Sequence, residues 1–188
     1  MPGRFEPDCA LSRVEAEFGT VYAVHRLDMD TSGLLIVARR RKAEAALHAQ
    51  FRERKVTKTY VAVVHGELAN DAGQIDLPLL RQGGRPPLSI VDHEQGKPAR
   101  TRYEVLRRDA DRSRLRLHPE TGRSHQLRVH LLSLGHPIVG DTFYATNLQG
   151  TSAEPRMLLH AATLNFAHPY SGEPVSYTHL TLPTICSV

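Results

Sequence analysis

The sequence predicts an α+β fold: a mostly antiparallel mixed sheet with flanking helices and loops. Three observations lead there. Segments that read as strands outnumber segments with helical periodicity. At least one pair of strand-like segments is separated by a turn short enough for a hairpin. The chain has 188 residues, 40% hydrophobic and 23% charged, which suits one domain with an ordinary core.

Residues 33–39, Gly-Leu-Leu-Ile-Val-Ala-Arg, form a continuous apolar run of strand length. Residues 41–54 then read as a helix, with Ala43, Leu47 and Phe51 on one apolar stripe. Residues 59–68 are rich in β-formers and stop near Gly66, so they predict a strand. Residues 69–99 are rich in Gly, Pro and Asp, and include Gly83-Gly84 and Pro86-Pro87. They read as a long excursion, and a loop of that length usually has a functional reason. Residues 101–107 and 113–118 alternate around a turn at 109–112, which predicts a hairpin. Thr121-Gly122 breaks the chain, Ser124 can cap a helix running through Leu134, and Gly135 ends it. His136-Pro137 forces a turn, and residues 156–168 form a strand ended by Pro169.

Several classes drop out on composition. No apolar run approaches the roughly 18 residues that span a bilayer. The N-terminal residues contain no apolar stretch of the kind a secretory signal needs. Cys9 and Cys186 show neither metal spacing nor a disulfide framework, which fits a reducing cytoplasm. The net charge is +4, but it is unevenly spread. Residues 39–58 hold eight Lys/Arg against Glu44 and Glu53, and residues 100–130 hold nine Arg against four acids. Segregation of this kind suggests a surface for a polyanion, with two solvated faces as the plainer alternative.

Three segments could carry chemistry. His25-Arg26-Leu27-Asp28-Met29-Asp30-Thr31-Ser32-Gly33 packs polar groups directly ahead of an apolar strand. A carboxylate at Asp28, flanked by Arg26 and hydroxyl residues, could be oriented for catalysis. A turn in which Asp28 and Asp30 satisfy backbone N–H groups explains the same residues equally well. Asp28-Met29-Asp30-Thr31 also matches the DxDxT loop of haloacid-dehalogenase-type phosphatases. That match needs an apolar strand immediately before Asp28, where His25 and Arg26 stand. It also needs more oxygen ligands for magnesium than Gly140-Asp141 supplies.

The second segment is Thr121-Gly122-Arg123-Ser124-His125-Gln126-Leu127-Arg128-Val129-His130. Gln126 and His130 share one helical face, Leu127, Leu131 and Leu134 another, and the arginines can bind carboxylate or phosphate in bidentate fashion. An amphipathic helix with a basic outer face accounts for the same pattern. His125, His130 and His136 could be imagined around zinc, but no HExxH arrangement or cysteine supports a metal site. The third is Lys58-Thr59-Tyr60, where a tyrosine beside basic residues can stack on a base. A lone strand tyrosine is more often core or edge.

Taken together, these segments resemble the pseudouridine synthases of the RluA type. HRLDMDTSGLL is similar to that family's HRLDxxTSG signature. KTYVAVVHG, GKPARTRYEVL, TGRSHQLRVHLLSLGHPIVGDTFY and RMLLHAATLNFAHP follow as further blocks in order, from about Pro2 to Val175. The resemblance implies isomerisation of uridine in RNA, with 23S rRNA, the tRNA anticodon stem-loop, or both as substrate. It implies Asp28 as the nucleophile that lets the C1′–N1 bond break, the uracil rotate and a C1′–C5 bond form. Tyr60 would stack on the target base and take part in proton transfer. Arg128 would pair with Asp28, and Arg26 would lie at the flipped-out nucleotide. Thr31, Arg123 and His125 would add substrate contacts. No cofactor and no metal is implied, and a cytoplasmic monomer away from any membrane is expected. An RNA-binding module without catalysis is the other reading.

Two departures from the family pattern stand out. An N-terminal stretch with a strand and an Asn-Lys-Pro motif is expected before Pro2-Gly3-Arg4, so the sheet should carry an unpaired edge. Residues 176–188 contain no Asp, Glu, Lys or Arg, and are expected to be an adapter-derived tail to a catalytic domain spanning residues 1–175.

Overall fold

A computed structural model describes residues 9–84, 87–145 and 154–179. The N-terminal Pro2-Gly3-Arg4 and most of the tail lie outside the described residues. The elements run α1 (Ala10–Phe18), β1 (Tyr22–Ala23), β2 (Ser32–Gly33), β3 (Val37–Ala38), α2 (Arg41–Arg52), β4 (Thr57–His65) and β5 (Ala72–Asp76). They continue with β6 (Leu79–Arg81), β7 (Ser89–Val91), β8 (Arg100–Asp109), β9 (Arg112–Pro119), α3 (Gln126–Ser133), β10 (Leu159–Ala167) and β11 (Pro174–Thr178).

The main sheet has the order β11-β10-β4-β9-β8-β5, all neighbours antiparallel, and β2 adds a short parallel pairing to β10. The alternation read in residues 101–118 is the β8–β9 hairpin. Thr101 and Tyr103 on β8, and Ser113, Leu115 and Leu117 on β9, face inward. Of these, Tyr103, Leu115 and Leu117 join Ala62 and Val64 of β4 and Leu127 and Leu131 of α3 in the largest core. Leu115, Leu117, Val64 and Leu131 are fully buried, and truncating one such leucine costs about 2–5 kcal/mol. A second core lies under α2, where Ala43 and Leu47 pack on Val24 and Ala38, with Phe51 and Phe166 at its margin. Gln50 fastens this helix to the sheet by bonding both the N–H and the carbonyl of Ala167 at 2.8 Å.

Three expectations need correction. Residues 33–39 are not one strand; β2 and β3 take only their two ends, because the chain must leave β10 after Gly33 to reach β1. Residues 69–99 are not an unstructured excursion. They contain β5 at the sheet edge and a separate β6–β7 hairpin, in strands of three to five residues, too short to show alternation. Residues 174–178 form β11, paired to β10 from Pro174 to Thr178.

The helix after Gly122 is the third. It begins at Gln126, not behind a Ser124 cap, and its N-cap, His125, is left-handed at φ 53° with no side-chain cap. It is not amphipathic with a basic outer face. Every residue from Gln126 to Leu131 is buried, while Leu132 and Leu134 are exposed. Buried polar groups require partners. Gln126 bonds Thr121, Arg123 N–H and Arg100 carbonyl at 2.7–3.0 Å, and His130 bonds Thr101 at 2.9 Å.

Candidate active site

A cleft of about 430 Å³ opens between the loop before β2, strand β4 and the turn joining β9 to α3. Asp28 lies in it, 19% exposed at the side chain. The local backbone is a turn, closed by the Thr31 N–H donating to the Asp28 carbonyl at 2.9 Å. The carboxylate is not used up by that turn. Among the described residues it accepts no hydrogen bond, and its ion-pair partner is Arg128, with Nη1 at 3.7 Å.

Anchors on both sides of Asp28 hold the loop. Upstream, His25 Nε2 accepts the Ile36 N–H at 2.9 Å, and its ring stacks on Phe51 at 4.9 Å between centroids. Burial first, and then the nearby Lys58 charge, push the His25 imidazole down to about 4, so it accepts that bond as a neutral ring. Downstream, Ser32 Oγ lies 2.8 Å from His160 Nδ1 on β10. The next residue, Gly33, has φ +107° and sits against the Ala161 backbone, where any Cβ would collide. The Ser-Gly of the motif is thus the parallel seam between the Asp28 loop and the sheet.

Arg128 is 3% exposed at the side chain and does not float free toward Asp28. Its principal partner is Asp141, bonded at 2.7 Å through both Nε and Nη2. Asp141 also accepts the N–H groups of Phe143 and Tyr144 at 3.0 and 3.1 Å, and those two rings lie 5.0 Å from the guanidinium. Burial works against the Arg128 charge, but the Asp141 bonds outweigh it and the pKa is raised. Gly140 makes this cradle possible: at φ +77°, it meets the backbone of Arg156, leaving no room for a Cβ. Arg128 is therefore clamped from behind, with its remaining Nη1 directed to Asp28.

The other expected residues divide into two groups. Tyr60, Arg26, Thr31 and Arg123 line the cleft with Asp28. Burial and then the Asp28 charge push the Tyr60 phenol up to about 12, so it stays protonated and is a poor base near neutral pH. His125 is not among the cleft-lining residues. Its Nδ1 lies 2.8 Å from the Tyr144 hydroxyl, and burial lowers its pKa against the raising effect of the Asp28 charge.

Sequence reasoning missed Asp141 as a positioning residue, along with Tyr144, Lys58 and Arg81. Asp141 stood in a quoted block but, without the fold, had no visible link to Arg128. Tyr144 also binds Ser89 N–H at 2.8 Å and so ties the β6–β7 hairpin to the site, while Arg81 of that hairpin reaches the cleft. Among the described residues, no group of three or more His, Cys, Asp or Glu is placed to hold a metal ion.

The family model for RNA pseudouridylate synthase matches residues 5–133. The chain belongs to this family. The dual-specificity RNA pseudouridine synthase RluA of Yersinia pestis is 48% identical over 180 residues, covering 94% of this chain and 87% of that protein. The enzyme of the same name from Escherichia coli strain K12 is 46% identical, covering 94% and 82%. Among solved structures, human RNA pseudouridylate synthase domain containing 1 superposes with TM-score 0.78 at 33% identity, covering 94% of this chain and 76% of that one. The α+β architecture is that of these pseudouridylate synthases. The chain is an RNA pseudouridine synthase of the RluA type, an isomerase. Family membership displaces the phosphatase reading of the Asp28–Asp30 loop.

Proposed function

We propose that Asp28 is the nucleophile of this synthase and that it acts on uridines in 23S rRNA, the tRNA anticodon stem-loop, or both. One observation carries the assignment: the Asp28 carboxylate reaches a basic cleft with no hydrogen bond of its own among the described residues and a clamped arginine behind it. A carboxylate left without neutral donors keeps its lone pairs for attack on carbon. The reaction is an isomerisation. The C1′–N1 bond breaks, the C1′–C5 bond forms, C5 loses its proton and N1 gains one, so no electrons enter or leave. Dual specificity is what the relatives' names state, and it supports the pair of substrates.

In this reading Tyr60 stacks on the target base and keeps its hydroxyl as a donor. Arg26 and Thr31 contact the flipped nucleotide, and Arg123 contacts a neighbouring phosphate. Taking the uridine out of its stack costs a few kcal/mol, which phosphate contacts offset. His125 serves by positioning Arg128 and not by touching substrate. The Asp28→Asn variant should bind an anticodon stem-loop RNA with unchanged affinity and form no pseudouridine, as read by base-resolved mapping. Turnover by that variant rules out Asp28 as the nucleophile. We further propose that residues 176–188 are adapter-derived. Resequencing from source DNA tests this, and native coding sequence across Val175–Ser176 ends the idea.

A further inference from the structure

The two arginine-rich segments look alike in sequence and differ in the fold. Of the nine arginines in residues 100–130, seven hold a carboxylate. On the β8–β9 hairpin, for example, Arg107 is 2.7 Å from Asp109 and Arg116 is 2.7 Å from Glu104. In residues 39–58 only Arg41 and Lys55 pair, with Glu44 and Glu53. The other six cations of that segment form no ion pair among the described residues, although Arg52 is near enough to Glu53 to help lower that carboxyl's pKa.

Three of those six converge on one place. Arg52, Arg54 and Lys58 line a groove of about 640 Å³, with Arg123 also in its lining. The groove shares Phe51, Lys58, Thr121, Gly122 and Arg123 with the catalytic cleft, so the two are continuous. Its one carboxylate, Glu120, is already held by Arg102 at 3.0 Å and Arg100 at 3.6 Å. Lys58 is partly buried, with the Thr121 carbonyl at 3.4 Å as its hydrogen-bond acceptor. An ammonium placed so, without a counter-charge, is stabilised by an incoming anion. Arg54 is the left-handed residue, at φ 58°, of the turn that ends α2, where the Lys55 N–H donates to the Gln50 carbonyl at 2.9 Å.

We propose that the sugar–phosphate backbone flanking the target uridine lies in this groove, between the C-terminal end of α2 and the β9–α3 turn, and not along the β8–β9 hairpin. This rests on the RNA cleft assigned above. Paired arginines on the hairpin present little net field to a phosphate, whereas the unpaired set around α2 does. The groove sets which side of the uridine is gripped, and so contributes to site choice through backbone shape more than base identity.

The test is the salt dependence of binding, with a fluorescein-labelled, uridine-containing RNA stem-loop as the probe. Each phosphate contact on a single strand contributes a slope of about 0.7 in log K against log salt. Arg52→Gln/Arg54→Gln should therefore lower the slope by about 1.4. Arg107→Gln/Arg116→Gln removes the same charge and should leave it nearly unchanged. Arg52→Lys/Arg54→Lys should restore the wild-type slope. An unaltered slope in the groove variant, an equal loss in the hairpin variant, or no restoration by lysine overturns the proposal. Pseudouridine formation by the wild type is read on the same RNA. Product with an unaltered groove slope refutes the groove alone, and the expected slopes without product refute the catalytic reading alone.

Discussion

Asp141→Asn tests whether the clamp behind Arg128 matters as the geometry says. The Asp141 side chain is 0% exposed and that of Arg128 3%, so the pair is shielded from water. The substitution keeps the shape, removes the counter-charge and sets an amide N–H₂ against a guanidinium that has only donors. Breaking one side of a buried pair costs about 3–5 kcal/mol because the surviving charge is left uncompensated. At about 2–4 °C per kcal/mol for a chain of this size, Tm should fall by on the order of 10 °C. Activity should fall further than stability explains. Without its anchor Arg128 shifts toward Asp28, and a displacement of about 1 Å in a catalytic group can cost about 10²-fold. Measured well below the new Tm, kcat/KM should drop at least about 10²-fold, near 2.7 kcal/mol of transition-state stabilisation. Adding Arg128→Met should recover part of the lost stability, since no buried charge remains unpaired, and none of the activity. Wild-type Tm and wild-type kcat/KM in Asp141→Asn refute the reasoning.

Gly33→Ala should both destabilise the chain and suppress turnover, because the added Cβ strikes the Ala161 backbone; equal stability with full activity denies the seam its role. His25 has a folded pKa of about 4 against about 6.5 unfolded. Its contribution is fully present above pH 6.5 and is lost as pH falls through 4, by up to about 3 kcal/mol. Urea unfolding from pH 7 to 4 should therefore show a shallower loss in His25→Gln than in wild type, and identical slopes reject the attribution. With the Tyr60 phenol pushed up to about 12, log kcat/KM should show no limb near pH 10 that Tyr60→Phe removes. Such a limb would mean that the hydroxyl ionises during turnover.

Legibility followed the range of the physical signal. Helical periodicity over a dozen residues placed α2, and strand alternation on either side of a tight turn placed the β8–β9 hairpin, because both signals are local. The motif around Asp28 was equally readable, since its chemistry is packed into nine consecutive residues. Strands of two and three residues carry no period, so β1, β2, β3, β6 and β7 could not be delimited. Helix α3 misled for a different reason. Its Gln126, Arg128 and His130 looked like a solvated face, and they are buried because distant Thr101 and Asp141 satisfy them.

The sequence by itself determined the family, because its motif blocks follow in order along the chain, and it singled out Asp28 as the candidate nucleophile, because that motif lies in contiguous residues. It also determined that the chain is basic enough to meet a polyanion. Only the tertiary structure decided which of its cations are free to do so. Charge pairing is a matter of distance: Arg107 and Arg116 are paired with carboxylates within 3 Å, while Arg52, Arg54 and Lys58 form no ion pair among the described residues and gather beside the cleft. The same holds for Arg128, thirteen residues from the Asp141 that clamps it. Those two side chains meet because α3 is buried against the sheet and Gly140 lets the chain turn back beneath it.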